Sequence, residues 1–520
     1  LRRIVAGQRC LFGRRLAIAL SGRPERVTEM PVGERIARGP SIHLSGVMTL
    51  YERCADDIAE LIRNGILRPG DKLPSVRDAS LARGVSRSTV FQAYYHLESM
   101  GLIEARPRSG YYVRTGSQPV SSPEPVDSTP DGNAKEVAIG PMVFELLRSM
   151  NRRDFVPLGS AFLNPSLCPL TRLARHLGAA MRDFDPWRLI EDLSPGNESL
   201  RRHIVLRYGL DGMVIDPNEV VLTNGAMEGL NLSLQAVTRP GDVVLVESPT
   251  FYAALQALDR LQLRSLEVAT SSAWGIDIDA VAKALKGQRV AACWIMPNFQ
   301  NPLGSSMPDD RKKALVALLA EQEIPLIEDD VYAELYFGAR KPLPAKAWDT
   351  RGLVIHCGSF SKCLAPGYRV GWVAGGRHAA RIEQMRLMYT LSPAIPSEAA
   401  IAAYLDHGGY DRHLRRMRAA LERYRAIAME AVRAHFPAGT RMSTPQGGYF
   451  LWLEMPESVD ASRLHALARE RGISLAPGAL FFNHPRSTHC LRLNYGHAGD
   501  PRFAGAMQTV GRLAADMAQG

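Results

Sequence analysis

The stretch Leu353-Val354-Ile355-His356-Cys357-Gly358-Ser359-Phe360-Ser361-Lys362, with Arg369 following, decides how the larger part of this 520-residue chain reads. Its first half is an apolar run of strand length. Its second half places two hydroxyls and a lysine where that strand ends, and open α/β sheets carry their ligands beyond the carboxyl ends of their strands. The same pattern recurs on either side. Runs at Glu219–Thr223, Val243–Glu247, Val290–Met296, Ile324–Asp329, Leu353–Cys357 and Val370–Ala374 alternate with helical segments. This predicts a parallel sheet with crossover helices.

A lone lysine on a loop is usually a surface residue, but the other strand ends supply its partners. Asn224-Gly225-Ala226-Met227 is a small-residue turn opening a helix, whose free N–H groups suit a phosphate. Asp329 ends a buried run, where a carboxylate is costly unless it meets a cation. Tyr332 and Asn301 offer donors to a ring oxygen, and Tyr252 offers an aromatic face. Arg492, inside the apolar run Leu491–Tyr495, suits a carboxylate bound bidentately. The set answers to one chemistry. Lys362 forms a Schiff base with an aldehyde cofactor, Asp329 keeps a pyridinium nitrogen charged, and Ser359, Ser361 and Arg369 cradle a phosphate.

Upstream the pattern changes. From Met48 to Asn64, Leu50, Cys54, Ile58, Leu61 and Ile62 share one helical face, with acids largely on the other. Ser75 caps a second helix, with Asp78 three residues on, and Ser86 caps a third, with core face Val90, Tyr94 and Leu97. Leu102–Arg106 and Tyr111–Arg114 then pair around Pro107-Arg108-Ser109-Gly110 as a hairpin. Two short helices and a basic hairpin make a winged helix-turn-helix, a reader of double-stranded DNA. Arg87, Ser88 and Thr89 lie in the first turn of its recognition helix. Residues 116–150 follow as a linker; the Gly116–Asn133 part is proline-rich and nearly devoid of large apolar residues.

Charge and composition bound the alternatives. The net charge is +10, and residues 1–40, with nine arginines against three glutamates, carry +6 of it. That basic stretch reads as a disordered leader. The winged helix over 46–115 carries only +2, so DNA binding rests on where Arg77, Arg87, Arg106 and Arg108 stand and not on the total. The seven scattered cysteines show no C-x-x-C, so no disulfide framework or zinc site is readable and a reducing cytoplasm is expected. No run has the length of a membrane span.

Two resemblances follow from these motifs. Ile66–Arg77, Gly84–Val90 and Ser109–Val113 resemble the GntR family of bacterial winged-helix regulators. That resemblance implies DNA contacts from Arg77, Ser86, Arg87, Ser88 and Thr89, and a wing with Arg106, Arg108 and Gly110 entering the minor groove. Ser80 stands where the family carries an apolar residue, which is expected to loosen the second helix. Residues 151–520 resemble the class I aminotransferases, fold-type-I α/β enzymes dependent on pyridoxal 5′-phosphate, and most of all the aminoadipate and kynurenine branch. The resemblance implies that Lys362 binds the cofactor covalently, Asp329 meets its ring nitrogen, and Asn301 and Tyr332 meet its ring oxygen. It further implies that Tyr252 stacks on the ring, that Gly225, Ala226, Met227, Ser359, Ser361 and Arg369 hold the phosphate, and that Arg492 takes a substrate carboxylate. Ala226 replaces a frequent phosphate-binding serine, and Leu193 replaces a tyrosine that in relatives reaches the neighbouring subunit, so a weaker phosphate grip is expected.

The combination resembles the MocR subfamily of regulators. It implies a cytoplasmic homodimer that binds operator DNA and senses the cofactor or an amino-acid or amine effector. A working aminotransferase with an accessory DNA-binding domain is the alternative that the intact residue set keeps open.

Overall fold

The computed structural model describes residues 50–113 and 123–519, apart from positions 64, 69, 100–101, 107–108, 138–142, 145–147, 149–151, 183, 192, 339 and 484–487. The basic leader, residues 1–40, and Arg108 of the wing lie outside the described residues. The chain divides into two compact units between Val120 and Ser121.

In the first unit, helices Leu50–Arg63, Val76–Arg83 and Arg87–Ser99 precede an antiparallel hairpin of Ile103–Arg106 and Gly110–Val113. Val90, Tyr94 and Leu97 are fully buried, packed with Ile58, Leu73, Ile103 and Val113. Ser75 caps the second helix as its spacing predicts: its Oγ accepts from Asp78 N at 3.2 Å and donates to the Asp78 carboxylate at 2.7 Å. Ser80 does not loosen that helix. Its hydroxyl donates to Val85 O at 2.6 Å, so it ties the turn between the two helices.

The second unit is built on a nine-stranded sheet. Its strands lie in the order Lys135–Glu136, Arg264–Ser271, Val243–Ser248, Ala292–Ile295, Leu326–Asp329, Val354–Ser359, Gly371–Ala374 and Val220–Thr223, with Gly275–Ile276 paired on Arg264–Ser271. From Arg264–Ser271 to Val354–Ser359 the neighbours are parallel. Gly371–Ala374 is antiparallel to both its neighbours, so the sheet is mixed where the sequence predicts a parallel one. The reason is the connection before it. Too little chain separates Ser359 from Gly371 for a crossover helix, and the strand must turn back. That short return carries Lys362 and Arg369.

Successive residues alternate between two cores, as a sheet covered on both faces requires. Trp294, Ile327 and Ile355 face one cluster with Leu230 and Leu234; Cys293, Leu326 and Val354 face the other with Val281, Leu315 and Leu319. A smaller lobe holds a four-stranded antiparallel sheet of Arg441–Met442, Phe450–Glu454, Cys490–Asn494 and Ala476–Pro477. Among the described residues no helix is long and apolar enough to cross a membrane.

The linker read over residues 116–150 is docked along much of its C-terminal part. Met442 N donates to Pro123 O at 3.2 Å, Val126 N donates to Glu454 at 2.7 Å, and the Ser128 hydroxyl donates to Ser248 O at 2.5 Å. Lys135–Glu136 then pairs on the sheet edge, and Val137 and Val143 are buried. Poor in apolar residues, most of this segment is held through backbone and polar groups, a docking that composition does not reveal.

Candidate functional site

Lys362 follows a fully buried strand, and its nitrogen lies among aromatic rings. Nζ donates to Ala161 O at 3.0 Å and sits 4.7 Å from the Phe162 ring centroid and 5.8 Å from that of Tyr332. Burial holds its ammonium down to about 8, against the charge of Asp329, while Arg492 and Arg369 push the same way as burial. Asp329, at the end of the neighbouring parallel strand, is raised by burial to about 7 and stabilised in its charged form by Lys362. Its Oδ1 is buried with no hydrogen-bond partner. A carboxylate oxygen left without a donor inside a protein is costly, and it marks a place built for a ligand donor.

Two further orphan groups surround the same site. Arg492 is fully buried, donating through NH1 to Asn301 Oδ1 at 2.8 Å and through NH2 to Gly159 O at 2.6 Å, while its Nε has no partner. Because Asn301 Oδ1 faces Arg492, its Nδ2 turns elsewhere and is also unpartnered. Phe450 and Phe481 lie 4.4 and 5.0 Å from the Arg492 guanidinium. Tyr252 packs on Phe481 at 6.0 Å, and Tyr332 on Tyr449 and Phe450 at 5.4 and 5.6 Å.

The phosphate residues also converge. Arg369 adopts a left-handed backbone at φ 52 and turns its guanidinium back toward the first turn of helix Ala226–Val237. There NH2 donates to Asn224 O at 3.2 Å and NH1 to Ser361 Oγ at 3.3 Å. Ser361 N in turn donates to Ser359 Oγ at 2.9 Å. Gly225, at φ 87, caps that helix, and a Cβ there would collide with the Arg369 guanidinium. The first-turn N–H groups of Ala226 and Met227 have no intrahelical acceptor. Ser359 Oγ itself donates to Val370 O at 3.1 Å, and the groups left with the chemistry of an anion cradle are the helix N-terminus, Ser361 and Arg369.

Sequence reasoning missed several neighbours. Gly159, Ala161 and Phe162 come from a segment some 200 residues before Lys362, and Tyr449, which donates to Ala161 O at 2.9 Å, comes from the small lobe. Their only local signal is the small-residue run Gly159-Ser160-Ala161. On the sheet face opposite Asp329, His356 bridges Glu328 at 2.9 Å and Tyr208 at 2.6 Å, anchoring the strand end that carries Asp329.

In the first unit, Arg77, Arg87 and Ser88 are exposed, and neither arginine has an acid partner among the described residues. Ser86 is occupied by its helix: its Oγ accepts from Thr89 N at 3.1 Å and bonds the hydroxyls of Ser88 and Thr89. Arg106 pairs with Glu104 at 2.8 Å and stacks 4.4 Å over Tyr112. Gly110, at φ 107, supplies the left-handed turn of the wing.

Comparison with known proteins separates the same two parts. Residues 188–501 match the family of aminotransferases of class I and II, and residues 50–113 match the gntR family of bacterial regulatory proteins. The uncharacterized HTH-type transcriptional regulator YdcR of Escherichia coli is 46% identical over 90% of this chain and 99% of its own. A second Escherichia coli relative, the uncharacterized HTH-type transcriptional regulator YjiR, is 35% identical over 89% of this chain and 98% of its own. The crystal structure of LysN, the alpha-aminoadipate aminotransferase of Thermus thermophilus complexed with N-(5′-phosphopyridoxyl)-L-leucine, matches with a TM-score of 0.66 at 27% identity, over 72% of this chain and 95% of that one.

The Lys362 shift sets a pH dependence. With its folded value near 8, below the ordinary 10.5, the native state resists protonation of Lys362. That cost is fully present below pH 8 and fades as pH rises toward 10.5. Lys362→Met should therefore stabilise the ligand-free protein by about 1–3 kcal/mol at pH 7 and by much less at pH 10. Denaturation curves at both pH values check this, and an equal gain at each would contradict it.

Proposed function

This chain belongs to the class I and II aminotransferase family and carries a gntR-family reader, the architecture of MocR-type transcriptional regulators, and from that premise we propose that it couples ligand binding in the aminotransferase-like unit to DNA binding. The observation that carries this reading is the set of orphaned buried groups, Asp329 Oδ1, Asn301 Nδ2 and Arg492 Nε, near a lysine whose ammonium burial holds down to about 8. This donor set fits pyridoxal 5′-phosphate. The cofactor, when bound, supplies an aldehyde that condenses with amines and a ring that withdraws electrons.

The residues divide the work. Lys362 would hold the aldehyde covalently, and a larger neutral fraction at physiological pH favours its attack. Asp329 would hold a proton on the ring nitrogen. Asn301 Nδ2 and Tyr332 would donate to the ring oxygen, and Tyr252 would cover the ring. Ser361, Arg369 and the turn Gly225-Ala226-Met227 would bind the phosphate, with Ser359 holding Ser361 N. Arg492 would exchange Gly159 O for the carboxylate of an amino-acid effector, using Nε and one NH2 proton. In the reader, Arg77, Arg87, Ser88 and Thr89 would meet DNA, and Ser86 would shape the helix that presents them. A homodimer would bring two readers to paired half-sites. The same residues would also serve amino-group exchange, which keeps residual transaminase activity within this reading.

The segment entering the large unit would give the coupling a path. Glu124 spans both lobes: its carboxylate accepts from Ser272 Oγ at 2.9 Å, beside the large sheet, and from Thr444 Oγ1 at 2.9 Å, beside the small one. Four residues on, Ser128 holds Ser248 O, and Ser248 starts the loop to Tyr252. A change in lobe separation on ligand binding would thus pull on the chain that leads to the reader.

Purified protein tests the function. Binding to DNA flanking its own gene should be tight and should change with pyridoxal phosphate plus an amino acid, while keto-acid formation stays slow. Rapid turnover without sequence-specific binding would overturn the regulator reading. Arg87→Ala should weaken specific binding by about 1–3 kcal/mol if Arg87 reads a base, and an unaltered Kd would exclude that role. Glu124→Ala should leave DNA affinity without effector near that of the unaltered protein and cut the effector's influence, typically about 1–3 kcal/mol in coupled systems, by half or more. An undiminished response would remove Glu124 from the path.

A further inference from the structure

Lys362 lies where the parallel strands end; a second site lies where they begin. A cavity of about 670 Å³ opens beside the starts of Val243–Ser248, Ala292–Ile295 and Leu326–Asp329, and Arg239, Arg289 and Arg381 line it. Among the described residues these three guanidinia have no ion pair and donate no hydrogen bond. The two carboxylates of the wall are already in use. Asp242 accepts from Arg239 N at 2.8 Å, and Glu323 pairs with Arg351 and, at 2.7 Å, with Arg377.

Helix dipoles do not absorb the excess charge. The C-cap residues of helices Ala226–Val237, Ile278–Gly287 and Asp309–Glu321, namely Thr238, Gln288 and Gln322, also line the cavity. Each helix end acts as about half a negative charge, so the three remove roughly one and a half from the surplus of guanidinia over carboxylates. With Arg351 and Arg377 counted, five guanidinia face two carboxylates, and a positive remainder is left. Arg381 is also placed against its own helix. It stands in the first turn of Ala379–Thr390, which holds no acid and whose cap His378 makes no side-chain bond to it. A cation there opposes the positive end of the helix. Burial, Arg377 and Arg381 hold the His378 imidazolium below its ordinary range, with Asp349 only partly opposing them. The wall is positive beyond what the fold uses.

We infer that this cavity binds a phosphate-bearing small molecule through Arg239, Arg289 and Arg381. A guanidinium meets phosphate oxygens in pairs, with charge-assisted hydrogen bonds. A phosphate monoester carries about −1.5 to −2 at neutral pH, which matches the positive remainder. The volume falls within the roughly 300–1,000 Å³ of small-ligand pockets, and a concave wall suits a compact anion better than the convex backbone of a duplex. The site is distinct from the phosphate cradle at Arg369 and independent of what binds at Lys362.

Calorimetric titration of the full chain with inorganic phosphate, adenosine 5′-monophosphate and adenosine tests this. The two phosphates should bind and adenosine should not. Arg239→Gln, Arg289→Gln and Arg381→Gln should each weaken that binding roughly tenfold, the scale of one hydrogen bond to a charged group. Arg369→Ala should leave it in place. Loss in Arg369→Ala alone would put the anion in the cradle at Lys362 and overturn the site. Ligand-free Arg381→Gln should melt no lower than the unaltered chain, because it removes a cation from a helix start; a lower Tm would assign Arg381 to the fold and overturn its role here. A short duplex of unrelated sequence probes the other source of phosphate. If neither small phosphate binds and the three substitutions together weaken the duplex, the cavity takes a nucleic-acid backbone and the small-molecule assignment falls. Unchanged affinity for all of these ligands would overturn the site altogether.

Discussion

A lysine and an aspartate dehydrated side by side, at the ends of adjacent parallel strands, set the terms for the rest of this molecule. Each charge is costly where it lies, and each is partly maintained by the other. Two ionisable groups can be kept in that state only by a rigid frame. The strands that carry them are buried on both faces, and the strand of Asp329 is fixed from behind by Glu328, which accepts from Ala345 N and Lys346 N and bonds His356. The sheet is less a container for the site than the means of keeping two unfavourable charges in place.

From that constraint the surroundings follow. The return from Ser359 to Gly371 is short, so Lys362 and Arg369 share one loop, and the left-handed backbone at Arg369 turns its side chain onto the helix start at Gly225. Only glycine fits at Gly225 and Gly371, where a Cβ would meet the Arg369 guanidinium or the Gly225 backbone. Arg492 reaches the same place from the other lobe and is held by Gly159 O and Asn301. The site therefore joins both lobes, and so does Glu124 in the segment entering this unit. The groups that face a ligand and the segment around Glu124 thus both bridge the two lobes of this unit.

Much of this was legible in the chain before folding was considered. Strand ends marked by Gly225, Asp329, Lys362 and Arg369 stood out because catalytic-type residues followed apolar runs, and Ser75, Val90 and Tyr94 announced the helices of the reader. The direction of Gly371–Ala374 was not legible in its composition, since a strand read as an apolar run carries no sign of its sense. The docking of residues 123–137 was hidden for a related reason: it depends largely on backbone and polar groups finding partners far along the chain. The role of Ser80 was not legible either, because its partner, Val85 O, is a backbone atom that exists as an acceptor only once the turn has formed.

By itself the sequence determined two units of different kinds, the helices and wing of a reader and the alternating strands and helices of a ligand-binding sheet, together with most of the side chains that bear chemistry. These are matters of local periodicity and residue type. What the tertiary structure alone decided is which atoms are left unpaired: Asp329 Oδ1, Asn301 Nδ2 and Arg492 Nε. It also decided that Phe162, far upstream, lies over Lys362. Burial and hydrogen-bond satisfaction are properties of all neighbours at once, and those neighbours are brought together only when the sheet and the small lobe close around them.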